Sequence, residues 1–208
     1  MTKLKKIYLG NGRKMFEYAT HEQLQEECRK RGISIGDEVT IGEKVTLCEG
    51  ADIGDGSRVG DGADIGDDVI IGNDSTIGDG ATVFDNARIG YCCTIGNDST
   101  IYIDAIIADD VTIGNNVTIG YNVIILVGAK IKDGWKIENI IHLMNEYKYH
   151  VSGYIINGTI MIQMRCFTRT LEEWESDFWN NDKEFKKGSP EGDDRLRAFN
   201  KIKKIMKG

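Results

Sequence analysis

From Ile33 to Ile140 the chain can be written in sixes without an insertion, beginning ISIGDE VTIGEK VTLCEG ADIGDG SRVGDG and ending AKIKDG WKIENI, 18 units in all. The third position is Ile, Val or Leu in every unit, from Ile35 to Ile137, and the first is Ala, Val, Ser, Cys or Ile until Trp135 ends the series. Gly follows the aliphatic in 11 of the 18 units. A period of six is not a helical face. One large and one small inward residue per unit, separated by Gly, Asn and Asp, describe a short strand followed by a corner. Three units close a triangular coil, and the series stacks into six coils. With parallel strands at roughly 4.8 Å per coil, the prism is about 29 Å long. Its aliphatic columns form one core that no single coil could make.

These units match the hexapeptide repeat, and residues 33–140 resemble the left-handed parallel β-helix proteins of the hexapeptide transferase superfamily. The resemblance implies an all-β prism of six triangular coils. It also implies a homotrimer, with ligands held in clefts between neighbouring prisms. The fold alone does not assign an activity.

Charge divides the chain in the same places. Residues 33–140 carry 19 acidic and 6 basic side chains, a net of −13, whereas residues 1–32 are net +4 and residues 141–208 net +2. An acidic middle argues against a groove for a nucleic-acid polymer, which needs clustered Lys and Arg. No apolar run has the length of a signal peptide or a membrane span. Five cysteines without framework spacing, two of them adjacent, point to reduced thiols and a cytoplasmic protein.

The flanks read as separate pieces. In 1–32, KKIYLGNGRKMFEYA predicts a hairpin around Asn11 and Gly12. Thr20 and Gln23 form a capping box for a helix that runs to about Arg31, stops at Gly32 and covers the first coil. Residues 141–208 predict a small α+β domain. It has a hairpin around Asn157 and Gly158, a helix capped by Thr170 and Glu173 that carries Trp174, Phe178 and Trp179, and a last helix opened by Ser189 and Pro190. Leu196, Phe199, Ile202 and Ile205 are expected to face inward on that helix. The stretch GTIMIQMRCFTRTLEEWESDFWNN resembles tails of phage-encoded hexapeptide proteins, which implies no defined activity.

Chemistry is sparse. Acyl- and acetyltransferases of the resembled superfamily use a histidine within the coils as general base. The three histidines here, His21, His142 and His150, all lie outside 33–140. The projecting loop and the glycine- and valine-rich motif that helps hold coenzyme A also have no counterpart, although an acidic side chain could act as an atypical base. The three zinc-binding histidines of the gamma-class carbonic anhydrases are missing too, so no metal and no cofactor is called for. Cys93 falls on an inward small position and Cys92 on a corner. Asp55, Asp61, Asp67 and Asp79 are expected to be solvated corner residues, since the glycine-aspartate repeat that wraps calcium has a period of nine. Threonine ladders on two faces resemble those of an ice-binding prism, but Arg58 and Asp64 interrupt them.

One surface departs from the rest. Phe84 and Tyr102 replace corner glycines and are 18 residues apart, so they stack at one corner, where Ile103 and Tyr121 also fall. The adjoining face presents Ile70, Arg88, Ile106 and Ile124, and Tyr91, Leu126 and Val127 extend it around the next corner. Such a strip expects a cover. Phe84, Arg88, Tyr91, Tyr102 and Tyr121 are the candidate ligand-binding residues, because arginine beside aromatic rings suits a flat, anionic molecule. The expected function is a homotrimer binding a small anionic or nucleotide-like ligand in its intersubunit clefts without catalysis, for example to sequester a signalling nucleotide. An acyl- or acetyltransferase with an atypical base is the alternative, and a structural or assembly protein the third reading.

Overall fold

The computed structural model describes residues 4–10, 12–143, 151–164, 167–178 and 187–207. Asn11, His150 and Trp179 lie outside the described residues. The chain divides into two compact units, Met1–Lys136 and Ile137–Gly208.

The first unit opens with strands β1 (Lys5–Leu9) and β2 (Lys14–Tyr18), paired antiparallel, and helix α1 (His21–Arg29). Two-residue strands then recur every six residues, 17 among those described, from β3 (Ser34–Ile35) to β19 (Lys130–Ile131). They stack into three parallel sheets with a register of 18 residues, so the sequence period becomes the coil of a parallel β-helix. The first face stacks Ser34, Asp52, Ile70, Arg88, Ile106 and Ile124 outward. The second stacks Thr40, Arg58, Thr76, Thr94, Thr112 and Lys130, and the third Thr46, Asp64, Thr82, Thr100 and Thr118.

The inward residues obey the repeat. The third-position aliphatics from Ile35 to Ile125 are buried, as are the small first-position residues above them. Ile131, on the last strand of its sheet, is only half-buried. Serines among the small residues are satisfied in place: Ser75 Oγ donates to the Gly90 carbonyl at 2.9 Å and accepts from the Cys93 N–H at 3.0 Å. The last residue of each corner turns the chain with a left-handed backbone, as at Asp68 (φ 54°), Asp74 (57°) and Asn86 (59°), a conformation that Asp, Asn and Gly tolerate best.

The first coil does not present bare edges. Strand β1 lies parallel to residues 46–47, pairing Tyr8 with Thr46 and Leu9 with Leu47. Helix α1 buries Leu24 and Cys28, and Gln25 Nε2 donates to the Ile35 carbonyl at 2.9 Å. Thr20 caps the helix through a box with Gln23, and Gly32 (φ 70°) releases the chain after Arg29. Arg13 reaches from the hairpin to Asp64 at 2.6 Å, one contact between the basic N-terminus and the acidic coils.

The second unit is a meander of β20 (Lys136–Leu143), β21 (Val151–Ile156), β22 (Thr159–Met164) and β23 (Phe167–Thr170), antiparallel in sequence order. Helices α2 (Leu171–Asp177) and α3 (Pro190–Lys207) follow. Asn157 (φ 50°) and Gly158 (φ 75°) make the tight turn between β21 and β22. Thr170 and Glu173 cap α2, and Ser189 Oγ accepts from the Gly192 N–H at 3.1 Å at the start of α3. The core gathers Val151, Ile162, Met164, Trp174, Phe199 and Ile202, and Trp174 Nε1 donates to the Ile162 carbonyl at 2.8 Å. Two side chains of α3 differ from the sequence expectation. Ile205 is 43% exposed, and Arg195 is buried, its guanidinium 5.1 Å from the Trp174 ring and 5.2 Å from that of Phe178. The inward stripe therefore runs through Arg195, Ala198, Phe199 and Ile202.

Candidate functional site

The corners of the prism are built on one device. An Asp or Asn carboxylate or amide oxygen accepts the backbone N–H of the corresponding corner residue one coil earlier. On the edge between the second and third faces the device is unbroken: Asp61 accepts from Glu43 N at 2.8 Å, Asp79 from Asp61 at 2.8 Å, Asn97 from Asp79 at 3.0 Å, Asn115 from Asn97 at 2.8 Å and Asp133 from Asn115 at 2.8 Å. Asp55, Asp61 and Asp79 are thus backbone caps, not merely solvated turn residues as expected. Among the described residues no group of three or more carboxylates, histidines or cysteines gathers to hold a metal.

The device also explains the glycines. A Cβ on Gly60 would lie 2.6 Å from the Asp79 backbone nitrogen, and one on Gly90 would lie 2.7 Å from that of Asp109. Glycine is needed where an Asp or Asn of the next coil folds down over it. Phe84 and Tyr102 occupy that glycine position where the residues above are Ile103 and Tyr121. Cys48, beneath Asp67, and Gly72, beneath Tyr91, are exceptions, and a Cβ on Gly72 would still lie 2.8 Å from the Tyr91 nitrogen. In the irregular stretch both large side chains, Phe84 and Tyr102, stand beneath residues other than Asp or Asn.

Phe84, Tyr102 and Tyr121 form one aromatic column on the edge between the third and first faces. The first two rings are stacked at 5.2 Å and 14°, and Tyr102 and Tyr121 approach to 4.6 Å at 47°. Arg88 follows Phe84 around that corner onto the first face, exposed, between Ile70 and Ile106. Its guanidinium has no ion-pair partner among the described residues. Tyr91 is not part of this group. It stands on the opposite edge of the first face, 57% exposed, beside a shallow groove of about 270 Å³ lined also by Ser34, Asp52, Asp55, Ile70 and Asn73. Phe84, Tyr102 and Tyr121 thus lie together, Arg88 stands on the face between their edge and the other, and Tyr91 stands on that other edge.

Sequence reading missed the polar lining of that groove. Its signal was the offset of 18 between Asp37, Asp55 and Asn73, interrupted by Tyr91. The thiols give no reactive centre on this face. Cys93 is buried, burial pushes its thiol pKa up, and its sulfur lies 3.0 Å from the Ala108 carbonyl. Cys92 is exposed on the corner. His21 Nε2 lies 3.0 Å from the Gly36 carbonyl at the foot of the prism, and His142 is on β20.

Two family models match the coils: "Bacterial transferase hexapeptide (six repeats)" over residues 92–126, and "Hexapeptide repeat of succinyl-transferase" over residues 32–63. Both matches fall on the stacked hexapeptide units of the coils. No curated protein matches it. Similar solved structures of hexapeptide proteins include PerB from Caulobacter crescentus in complex with CoA and GDP-perosamine. That match is at 19% identity and a TM-score of 0.47, covering 57% of this chain and 61% of that one. The acetyltransferase domain of PglB from Neisseria gonorrhoeae in complex with acetyl coenzyme A matches at 19% identity and 0.30, covering 57% and 62%. A hexapeptide transferase family protein from Anaplasma phagocytophilum matches at 14% identity and 0.27, covering 84% and 78%. The hexapeptide chain thus spans about three fifths of the length of PerB and of the PglB domain. Among the described residues no helix is long and apolar enough to cross a membrane.

Proposed function

We propose that the protein assembles as a homotrimer and holds a small anionic, nucleotide-like ligand beside the first face, in the clefts between copies. The observation that carries this reading is the aromatic column of Phe84, Tyr102 and Tyr121 next to Arg88, a cation with no ion-pair partner among the described residues. Such a column stacks a planar base, and a guanidinium meets a phosphate through two parallel hydrogen bonds. The ligand is held without being turned over, since coil residues 33–140 contain no histidine to serve as general base. The test is a thermal-shift and calorimetric screen of nucleoside mono- and diphosphates and coenzyme A against the intact protein. Binding of a nucleotide that weakens at least tenfold in Arg88→Ala supports the reading. Equal affinity in wild type and Arg88→Ala sinks it.

A second reading is acyl transfer, favoured by the two matching repeat models, both named for transferases. In that case coenzyme A raises the melting temperature, and acetyl coenzyme A releases free thiol at a rate that depends on an acceptor.

A further inference from the structure

Two shallow grooves meet at the foot of the first face. One, of about 270 Å³, climbs from Ser34 past Asp52, Asp55, Ile70 and Asn73 to Tyr91. The other, of about 250 Å³, lies between helix α1 and the first coil and is lined by Gln25, Arg29, Gly32, Ile33, Ser34 and Ile35. Ser34 lines both, which makes them one path. The path is polarised. Its lower part holds Arg29, exposed in the last turn of α1, and its upper part holds Asp52 and Asp55 with no basic side chain. Neither Arg29 nor Asp52 has an ion-pair partner among the described residues, so opposite charges share the path without meeting. The side chains between them are fixed by the coils. Asp55 accepts the Asp37 N–H through Oδ1 at 2.8 Å, Asn73 accepts the Asp55 N–H at 3.1 Å, and Gln25 Nε2 donates to the Ile35 carbonyl at 2.9 Å. The second carboxylate oxygen of Asp55 and the amide N–H groups of Asn73 take no part in these bonds. The Tyr91 ring, 57% exposed, stands at the upper end.

We infer that this path binds a short extended peptide with free ends. Its C-terminal carboxylate meets the Arg29 guanidinium, and its N-terminal ammonium lies between the Asp52 and Asp55 carboxylates and the face of the Tyr91 ring. Charge selects this class of ligand. An anion alone is repelled by the upper carboxylates, and a cation alone leaves Arg29 unmatched, whereas a linear zwitterion satisfies both ends. Length selects it too. Ser34 lies beside Arg29 in the lower groove, Asp52 is one coil above Ser34, and Asn73 stands one coil above Asp55. At roughly 4.8 Å per coil the opposite charges are about 5–10 Å apart. Two or three extended residues span about 7–11 Å. A free amino acid, whose charges sit on one carbon, is too short. Between the ends, Ser34 and the Asn73 amide offer hydrogen bonds to peptide groups, and half-buried Ile70 offers an apolar contact. Arg88, one coil above Ile70, does not line the path, and the inference does not rest on the ligand or the trimer proposed above.

The probe is a degenerate pool of di- and tripeptides with free termini, passed over the immobilised intact protein, with retained peptides identified by mass spectrometry and titrated by calorimetry. A retained peptide is expected to bind at least tenfold more weakly when its N-terminus is acetylated, and likewise when its C-terminus is amidated. Arg29→Gln is expected to abolish the effect of amidation, and Asp52→Asn with Asp55→Asn the effect of acetylation. Asparagine at position 55 keeps the backbone cap, as Asn73 does one coil above, so that variant removes charge without removing the corner. A pool from which nothing is retained overturns the inference. So does a peptide that binds equally well with its termini blocked, or equally well to wild type and Arg29→Gln. If acetylation weakens binding and amidation does not, the path holds a cation at its upper end only, and the peptide reading falls.

Discussion

A corner of this protein is a partnership between two residues nineteen apart, a glycine and the Asp or Asn that folds down over it from the next coil. Gly60 with Asp79 shows the pairing in full: the carboxylate caps Asp61, and its backbone leaves no space for a methyl group. Gly60→Ala is expected to destabilise the coils by about 1–3 kcal/mol, the scale of overpacking in a close-packed interior, seen as a lower midpoint in chemical denaturation. Asn97→Ala removes only a cap on Asp79, at 3.0 Å, and is expected to cost about 1 kcal/mol. A Gly60→Ala variant as stable as wild type would show that the coils can spread and that the pairing is not steric. Phe84 and Tyr102 stand where Ile103 and Tyr121, not an Asp or Asn, occupy the position above. Sequence alone shows each substitution. Which residue lies over each follows only from the stacking.

At the scale of elements, the capping boxes at Thr20 and Thr170 and the turn at Asn157 and Gly158 were legible, because each is a local contest between side chain and backbone. The face of α3 was legible in part, since Phe199 and Ile202 are buried and Leu196 packs against the core. A stripe through Leu196, Phe199, Ile202 and Ile205 satisfies helical spacing, yet the helix sits on β21 rotated toward Arg195, Ala198 and Met206. The reason is Gly153, where the helix comes so near that a Cβ would lie 2.9 Å from Ile202 and Met206. Gly153→Ala is expected to lift α3 from the sheet and cost about 1–3 kcal/mol, whereas Ile205→Ala, at a half-open site, is expected to stay within about 0.5 kcal/mol. Equal effects of the two on thermal unfolding would contradict the packing. Trp174→Ala, which removes both the ring between Arg169 and Arg195 and the bond to Ile162, is expected to cost about 3–5 kcal/mol.

At the scale of the whole molecule, burial of ionisable groups sets a pH limit. Burial pushes the Cys28 thiol up to about 12 and that of Cys48 to about 11, against an ordinary 9.0, and the Tyr18 phenol up to about 12 against 10.0. The folded chain holds these groups protonated while the unfolded chain ionises at its ordinary values. The stability they contribute is therefore complete below pH 9 and lost as pH rises from there toward 12. The melting temperature is expected to hold up to about pH 9 and fall beyond it, less steeply in Cys28→Ala. A fall of the same slope in that variant would remove Cys28 from the account. The sequence by itself determined the β-helix, because a period of six with one large and one small inward residue admits few other burial patterns. It also marked the one irregular face, since Phe84, Arg88, Tyr91 and Tyr102 break the repeat where nothing in the core demands it. Only the tertiary structure decided how those residues divide, placing three rings on one edge, Arg88 on the face beside it and Tyr91 on the other edge. Side-chain neighbours there are set by stacking across coils and by the width of a face, which no spacing along the chain records.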